Sequence, residues 1–257
     1  MELTVLGSGC SWNTARRASA GYWLETMGGS LILDISAAVP LRAAQEHLDW
    51  ANLDAIWVSH FHLDHCGGLA PFLFGTKYAP DTQNRTKPLK IYGGAGLNDL
   101  LKTFDAAGDY NLLQQPFPVE IIEVAPETEF EMLPNVTART FSTPHTEESM
   151  AIRLTEVSGK SFVYTSDTGF DPKLGDFACN ADLFVVECSY CREKAVDIHL
   201  NLAEVVEITR LADPRETMIG HLYPEWDVLD IPEFIESHNP SCPIIAASDG
   251  LKHSIKN

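Results

Sequence analysis

Short hydrophobic segments recur along the whole chain and are separated by stretches rich in Gly, Pro, Asn and Asp. Segments such as Ile56-Trp57-Val58 are rich in the β-branched and aromatic side chains that are typical of buried strands. The pattern predicts strands at residues 3–6, 22–24, 31–35, 55–58, 89–92, 119–124, 136–141, 151–154, 161–165, 183–186, 217–219 and 244–247.

Segments with the helical period of hydrophobic residues lie between these strands. They predict helices at residues 37–48, 69–74, 96–106, 202–211 and 231–236, with Asn201 placed to cap the fourth. Strands and helices in this mixed order indicate an α/β protein with two sheets. The polar stretch 80–87 is typical of a surface loop and no repeat is detectable, so residues 1–257 are expected to form a single domain.

The composition is that of a globular protein with a large core, since 45% of the 257 residues are hydrophobic. The chain moves from Met1-Glu2 directly into the first strand, and no hydrophobic run approaches the roughly 18 to 20 residues needed to cross a bilayer. Six cysteines are scattered through a chain that is large enough to fold without disulfides. These features predict a cytoplasmic protein with reduced thiols and no membrane role.

The formal net charge of the chain is −18 at pH 7. Binding of long nucleic acids depends on clustered Lys and Arg that neutralise phosphates and release counterions. The charge therefore argues against a broad nucleic-acid surface, although a few residues are enough to hold a small anionic substrate. Arg16 and Arg17, whose guanidinium groups can bind phosphate oxygens, are candidates for that task, and the alternative for both is a solvated surface.

A segment of six residues, from His60 to His65, holds three histidines and an aspartate. His60 and His62 are two apart on a nearly extended segment and project to the same side, where they can share one metal ion. Asp64 and His65 fall on the opposite turn of the loop and can serve a second ion. Burying these groups without a cation would leave polar atoms unpaired at roughly 1 to 3 kcal/mol each, which argues against a purely structural role.

Three further candidate ligands, His145, Asp167 and His221, each follow a predicted strand. Loops at one edge of a sheet bring together side chains from distant parts of a chain. Together with the histidine segment these residues complete a set of seven candidate ligands, which is more than one tetrahedral ion can use.

The candidate ligands lie in motifs that resemble those of the metallo-β-lactamase superfamily. Its His-x-His-x-Asp-His signature appears as His60, His62, Asp64 and His65, and its later motifs appear in the expected order as Thr143-Pro144-His145, Thr165-Ser166-Asp167-Thr168-Gly169 and Gly220-His221-Leu222. The resemblance covers nearly the whole chain and implies a four-layer αββα sandwich. It also implies two zinc sites bridged by Asp167, the first formed by His60, His62 and His145 and the second by Asp64, His65 and His221.

Two further segments are similar to the ribonuclease Z and phosphodiesterase branch of that superfamily. They are Leu6-Gly7-Ser8-Gly9 and the segment His199-Leu200-Asn201-Leu202-Ala203-Glu204. In that branch a histidine near the start of this helix assists catalysis, and by position it corresponds to His199. The loop after Gly9 lacks the proline often found nearby, so the substrate contacts of that loop are not carried over.

The ligand set and the resemblance together predict hydrolysis of a phosphodiester. Two divalent ions would make a metal-bridging hydroxide available at neutral pH and would stabilise the phosphoryl oxygens. Asp64 is expected to orient this hydroxide or accept its proton while it binds a metal, and His199 is expected to protonate the leaving alkoxide. Glu187, Glu204 and Glu225 are candidates to orient the metal-bound imidazoles, and the sequence does not choose among them.

Three other functions are weighed against this one. Ribonuclease Z enzymes, which process tRNA 3′ ends, carry a tRNA-binding arm between the residues that correspond to His145 and Asp167, but here a predicted strand pair takes up the 21 residues from Thr146 to Ser166. A di-iron oxidoreductase is not expected, since that branch typically has Glu at the position of His62 and an appended flavin domain. A non-catalytic metal-binding module is expected to have lost ligands, whereas all seven are present.

We therefore expect a dinuclear metal-dependent hydrolase, a phosphodiesterase that acts on a small or cyclic phosphodiester, with tRNA 3′ processing as the alternative. The expected cofactors are two divalent metal ions, zinc in the first place and Mn2+ or Fe2+ as alternatives. The expected partner is a small-molecule phosphodiester, while nucleic acid and membranes are not expected. The resemblance also raises a homodimer as one arrangement, because relatives often form dimers.

Overall fold

The computed structural model describes residues 1–256 and contains two β-sheets of seven strands each. In chain order the strands are β1 (Glu2–Gly7), β2 (Gly21–Thr26), β3 (Gly29–Leu33), β4 (Ala55–Val58), β5 (Leu89–Gly93), β6 (Val119–Glu123), β7 (Glu129–Leu133), β8 (Val136–Ser142), β9 (Met150–Glu156), β10 (Ser161–Tyr164), β11 (Leu183–Glu187), β12 (Thr217–Gly220), β13 (Ile244–Ala246) and β14 (Lys252–Ser254). The helices are α1 (Val39–Gln45), α2 (Leu63–Cys66), α3 (Leu69–Tyr78), α4 (Leu97–Ala106), α5 (Lys173–Phe177), α6 (Leu202–Ala212) and α7 (Ile231–Glu236), with short 3-10 helices at Trp50–Asn52, Pro80–Thr82 and Pro224–Val228.

Each sheet combines a parallel part with an antiparallel part. The first sheet has the order β14-β1-β2-β3-β4-β5-β6, and the second has the order β13-β12-β11-β10-β9-β8-β7. Strands β3 to β6 run parallel to one another, as do β10 to β13, and the remaining pairs are antiparallel. The parallel strands β4 and β11 are buried along their whole length, which explains their continuous hydrophobic sequences.

The core lies in three layers. Side chains from both sheets meet between them, including Leu24 and Trp57 from the first sheet and Phe162 and Val185 from the second. Helices α1, α3 and α4 pack on the outer face of the first sheet, and α5, α6 and α7 pack on the outer face of the second. The order helix, sheet, sheet, helix confirms the predicted α/β class and four-layer αββα sandwich.

All of the predicted strands are present, and their ends differ from the predicted ones by no more than two residues. The strands that sequence analysis missed, β7 and β14, lie at the outer edges of the two sheets. Strand β14 consists of Lys252, His253 and Ser254, and β7 alternates glutamate with hydrophobic residues. Edge strands carry polar side chains that limit pairing with other chains, so the hydrophobic pattern does not reveal them.

The predicted helices are also present, but their lengths differ. Helix α1 ends at Gln45 instead of continuing to residue 48, since His47 adopts a left-handed backbone with φ of 57°. Helices α2 and α5, with four and five residues, are too short to give a helical hydrophobic period. Among residues 1–256, no helix combines the length and the hydrophobicity needed to cross a membrane.

Candidate metal centre

The histidine segment begins two residues after Val58, where β4 ends. His62 has an extended backbone with φ of −64° and ψ of 143°, and α2 starts at the next residue. Asp64 and His65 therefore lie on the first turn of a short helix, whereas the sequence predicted a loop. Because the backbone changes here from extended to helical, Asp64 and His65 lie in one group of candidate ligands and His60 and His62 lie in another.

Three imidazole nitrogens converge in the first group. His60 Nε2 lies 3.1 Å from His62 Nδ1, which in turn lies 3.0 Å from His145 Nε2. Asp167 Oδ2 is 3.9 Å from the His60 nitrogen and 3.7 Å from the His145 nitrogen. Ligand atoms around a tetrahedral zinc ion with bonds of about 2.0 to 2.1 Å are about 3.3 Å apart, so the spacing of the nitrogens suits one shared ion.

Asp64, His65 and His221 surround a second position. Asp64 Oδ2 lies 3.5 Å from His65 Nε2 and 3.4 Å from His221 Nε2. Asp167 approaches the same two nitrogens, with Oδ1 at 3.3 Å from His65 and Oδ2 at 3.3 Å from His221. Within each group all candidate ligand atoms lie within 4.8 Å of one another. Because Asp167 belongs to both groups, the structure brings the seven predicted residues together in two adjoining sets.

Two atoms where the groups meet, His65 Nε2 and Asp167 Oδ1, are buried without a hydrogen bond. The exposed fraction is 0% for His65 and 2% for Asp167. An unpaired polar atom in the interior costs about 1 to 3 kcal/mol, and a charged one costs more. A cation between these atoms would satisfy both, so the residues present fit bound metal ions.

Hydrogen bonds determine which ring nitrogen of the histidines carries a proton. His145 Nδ1 lies 3.0 Å from the carbonyl oxygen of Ile198, which can only accept, so His145 Nε2 keeps its lone pair. His221 Nδ1 donates to Ser189 Oγ at 2.9 Å, because the Ser189 hydroxyl itself donates to Glu187 at 2.7 Å. In both rings the nitrogen with the free lone pair faces the other candidate ligands, as metal binding requires.

Asp34 orients His65 by binding the ring nitrogen that points away from the other candidate ligands. Asp34 is fully buried and follows β3 directly. Its Oδ2 accepts hydrogen bonds from His65 Nδ1 at 2.7 Å, from the Tyr164 hydroxyl at 2.7 Å and from Ser59 Oγ at 2.8 Å. Sequence analysis missed this residue, although its position at the end of a buried strand is the signal that identified His145, Asp167 and His221.

Glu187 is the glutamate that orients imidazoles in this site. It ends β11, and its Oε1 lies 2.8 Å from His199 Nδ1. Its other carboxylate oxygen accepts from Ser189, which accepts from His221. One buried carboxylate therefore holds both a candidate ligand and the histidine predicted to act in catalysis.

The other two glutamates considered from the sequence have different partners. Glu204 forms a capping box with Asn201 at the start of α6, which confirms the predicted cap, and it also bonds Lys194 at 2.7 Å. Glu225 accepts a hydrogen bond from the backbone N–H of Cys191 at 2.6 Å. Among the hydrogen bonds described for residues 1–256, none joins either carboxylate to a candidate ligand.

His199 lies beside the candidate ligands but belongs to neither of the two groups that share Asp167. Its ring stacks on His221 with centroids 5.3 Å apart and an interplanar angle of 18°. Glu187, His199 and His221 are close enough to hold a third ion, but the hydrogen bond to Glu187 occupies His199 Nδ1. Burial alone would lower the pKa of His199, yet the hydrogen bond and charge of Glu187 outweigh it and raise that pKa. His199 Nε2 is the nitrogen left to meet a substrate.

The two carboxylates of the site are held in their ionised form. Burial alone would raise the pKa of Asp64, but the close approach of the His221 and His65 imidazoles holds it well below its usual value. The same holds for Asp167, where the charges of His221 and His65 outweigh burial and lower the pKa. Burial, with the charge of His65, lowers the pKa of His60 to about 2. The carboxylates and His60 are thus in the forms that bind cations. Burial would lower the pKa of His65, but the charges of Asp167 and Asp34 outweigh it and raise that pKa, so a bound cation would replace the proton of His65.

Three residues at the site have a left-handed backbone without being glycine: Asp34, Ser166 and His221, with φ of 57°, 54° and 55°. Such a conformation costs of order 1 to 3 kcal/mol and persists only where the surroundings determine it. Ser166 is fixed by its hydroxyl, which lies 2.6 Å from that of Ser59. The strained backbone positions therefore lie in the loops that carry the candidate ligands.

A cavity of about 380 Å³ opens onto the candidate ligands. Four candidate ligands line it, together with His199, Ser11, Leu63 and Tyr223. Its volume lies within the roughly 300 to 1,000 Å³ of small-molecule sites. The cavity can therefore admit a small substrate to the candidate ligands.

The guanidinium group of Arg17, a candidate phosphate-binding group in the sequence, contacts other parts of the protein. Its Nε donates to Asp227 at 2.9 Å, and its Nη1 donates to Ser8 Oγ at 2.9 Å and to the Ala247 carbonyl at 2.7 Å. These contacts use its planar donor groups to hold the loop after β1. Arg16 is exposed and donates to the backbone carbonyl of Asp227 at 3.0 Å.

Comparison with known proteins agrees with the motifs and the fold. The profile of a family described as anti-Pycsar protein Apyc1 matches residues 1–225. A probable metallo-hydrolase of Bacillus subtilis (strain 168), YhfI, is 26% identical over 233 residues, which are 90% of each chain. The crystal structure of the metallo-β-lactamase fold protein YhfI covers 98% of each chain with a TM-score of 0.80 and 24% identity.

Two further solved structures share the architecture at lower identity. The short form of human tRNase Z matches over 100% of both chains with a TM-score of 0.79 and 17% identity. A diphosphatase from the PhnP family matches over 99% of this chain and 98% of its own, with a TM-score of 0.76 and 20% identity. These likenesses confirm the metallo-β-lactamase fold, and the family match shows that the chain belongs to the family described as anti-Pycsar protein Apyc1, among relatives that include a metallo-hydrolase.

Proposed function

We propose that this protein is a metal-dependent hydrolase that holds two divalent ions and cleaves a small or cyclic phosphodiester. The observation that carries the proposal is the pair of ligand sets that share Asp167, with His65 Nε2 and Asp167 Oδ1 buried and unpaired between them. His60, His62 and His145 would hold one ion, and Asp64, His65 and His221 the other. Zinc suits these nitrogen and carboxylate ligands, and Mn2+ and Fe2+ are the alternatives.

Two bound ions would supply a nucleophilic hydroxide at neutral pH and Lewis-acid stabilisation of the phosphoryl oxygens. Asp64 is the least buried of the acidic ligands and lines the cavity, so its free oxygen is placed to orient a water or accept its proton. His199 would donate the proton that a leaving alkoxide needs, from Nε2, while Glu187 holds Nδ1. Glu187 also stabilises the protonated form of His199, which is the form a general acid requires.

Several features favour a small substrate. The cavity of about 380 Å³ suits a compact ligand, and the net charge of −18 disfavours a long polyanion. Strands β9 and β10 and their connecting turn fill the chain between His145 and Asp167. The diphosphatase of the PhnP family is a structural neighbour named for a phosphate substrate, which is consistent with a small phosphorylated ligand.

The metal-binding part of the proposal predicts that zinc-loaded protein retains about two ions per chain after gel filtration. Asp167→Ala should lose most of this metal, because it removes the carboxylate shared by both ligand sets. Elemental analysis measures the metal content, and circular dichroism checks the fold. Asp182→Ala is the matched control, since Asp182 accepts hydrogen bonds from Ser161 away from the site. One ion or none in the wild type, with Asp167→Ala indistinguishable, would rule out the dinuclear centre.

Asp34→Asn should weaken zinc binding about 10- to 100-fold, the usual effect of removing the partner that orients a metal-binding histidine. The amide keeps the size of the side chain and removes the charge that fixes His65. Zinc affinity is measured by competition with a chelator. Asp182→Asn should bind zinc like the wild type. Wild-type affinity in Asp34→Asn would mean that His65 needs no such partner.

His199→Ala should slow hydrolysis of an alkyl phosphodiester by about 100- to 10,000-fold, as expected for loss of a general acid. The loss should be smaller for a nitrophenyl diester, because nitrophenolate leaves without a proton. Metal content should stay unchanged, and His238→Ala, which removes a histidine two residues after α7, should leave both rates unchanged. Equal losses on both substrates would contradict the proposed proton transfer.

The protein should hydrolyse small diesters with higher kcat/KM than a precursor tRNA, and added salt should change these rates little. The reason is that few basic residues are available to contact a long polyanion. Initial rates on cyclic nucleotides, an activated diester and precursor tRNA are compared at several salt concentrations. Faster cleavage of tRNA that declines steeply with salt would instead establish tRNA 3′ processing as the function.

A further inference from the structure

The backbone of the candidate ligand His221 is strained and is held by hydrogen bonds on both sides. Its φ of 55° is a left-handed conformation that persists only where the surroundings determine it. On the preceding side, the Gly220 carbonyl accepts from the Cys188 N–H at 2.8 Å. On the following side, the Leu222 N–H donates to the Ser8 carbonyl at 2.9 Å. The loop after β1 therefore fixes the chain on one side of a candidate ligand.

Ser8 is held in turn by Asp249, which lies 241 positions later in the chain. Asp249 Oδ1 accepts from the backbone N–H of Ser8 at 2.9 Å and from its hydroxyl at 2.8 Å. Asp249 Oδ2 accepts from the N–H of Ala18 at 2.7 Å, and the Ala18 carbonyl accepts from the Gly9 N–H at 2.8 Å. Because Ser8 is fully buried, its polar groups need these partners. One carboxylate thus fixes both ends of the loop between β1 and β2.

Arg17 links the same serine to the 3-10 helix Pro224–Val228. Its Nη1 donates to Ser8 Oγ at 2.9 Å and to the Ala247 carbonyl at 2.7 Å. Its Nε donates to Asp227 at 2.9 Å, within that helix. The exposed fraction of Arg17 is only 7%, and a buried guanidinium group is stable only when its charge and its donors are paired. Arg17 therefore joins the loop after β1 to the segments that follow β12 and β13.

Asp249 and Arg17 belong to neither group of candidate ligands, and neither lines the cavity. They hold the neighbours of His221 in the chain and do not contact its ring. His221 Nε2 lies 3.4 Å from Asp64 Oδ2 and 3.3 Å from Asp167 Oδ2. The distances between ligand atoms determine how well an ion fits, so a shift of this backbone would move Nε2 away from the two carboxylates.

We propose that Asp249 and Arg17 are positioning residues for the metal ion of the second group of candidate ligands and act through His221. Their effect is transmitted by Ser8, whose carbonyl bonds the residue next to His221. This inference rests on the two ligand sets of the proposed function and does not depend on the substrate. The affinity for one ion is thus determined in part by side chains that bind no metal.

The test removes Asp249 from proteins that lack a ligand of one group. His62→Ala disables the first group, and His221→Ala disables the second. In the His62→Ala background, Asp249→Ala should weaken zinc binding about 10- to 100-fold, the usual effect of losing a residue that orients a ligand. In the His221→Ala background, it should change zinc binding little, because the residue through which it acts is absent. Zinc affinity is measured by competition with a chelator.

Asp182→Ala is the matched control. Asp182 accepts hydrogen bonds from the N–H and the hydroxyl of Ser161 at 2.8 and 3.4 Å, an arrangement like that of Asp249 and Ser8 but away from the site. This variant should bind zinc unchanged in both backgrounds, and thermal unfolding without zinc compares its loss of stability with that of Asp249→Ala.

Two milder variants test the same contacts without removing a whole side chain. Asp249→Asn keeps the shape and one acceptor oxygen, so it should weaken zinc binding in the same background by less than Asp249→Ala. Arg17→Lys should weaken it severalfold, because an ammonium group lacks the planar set of donors. Wild-type affinity in both variants would count against the proposal.

Equal weakening by Asp249→Ala in the two backgrounds, or none in either, would overturn the proposal. Zinc affinity is measured without substrate, so the result is separate from the proposed function. Selective weakening, in a protein that hydrolyses no diester, would support the positioning role and remove the phosphodiesterase function. Hydrolysis of diesters by a protein whose zinc affinity is independent of Asp249 would remove the positioning role alone.

Discussion

Asp167 is a buried carboxylate with five imidazoles within 4.0 Å, and the surrounding loops are arranged to hold it there. Thr143 Oγ1 donates to its backbone carbonyl at 3.2 Å, and the backbone N–H of Thr168 donates to Glu187 at 2.9 Å. Removing an ionised carboxylate from water is costly unless opposite charge compensates it. Neutral imidazoles supply little positive charge, so the stability of this arrangement depends on cations or protons at the same place.

Two more buried carboxylates, one from each sheet, hold the histidines that surround Asp167. Asp34, after β3 of the first sheet, fixes His65, and Glu187, at the end of β11 in the second sheet, fixes His199 and reaches His221 through Ser189. The position of the proposed general acid and that of a candidate metal ligand therefore depend on one glutamate. A change in the hydrogen bonding of Glu187 would alter proton transfer and metal geometry together.

Much of the fold and most of the candidate ligands could be predicted because both produce local patterns in the sequence. Buried parallel strands such as β4 are continuous hydrophobic segments, and the candidate ligands lie within three residues after a strand or form a dense histidine segment. The partners of Asp34 and Glu187 could not be predicted, because Tyr164 and Ser59 meet Asp34 only after the sheets pack together. Arg17 illustrates the same limit, since its contacts to Asp227 and Ala247 join residues more than two hundred positions apart in the sequence. The polar edge strand β14 lacked the hydrophobic pattern on which strand prediction relies.

The two sheets come from different stretches of the chain, and each proposed ion would take ligands from both. Strands β1 to β6 precede residue 124, and β7 to β13 occupy residues 129–246 before β14 returns to the first sheet. His60 and His62 come from the first stretch and His145 from the second, with the same division in the other set. A pair of bound ions would then act as non-covalent cross-links that close long chain loops, a type of constraint that lowers the entropy of the unfolded chain. Loss of metal would weaken the docking of one sheet on the other as well as the chemistry at their shared edge.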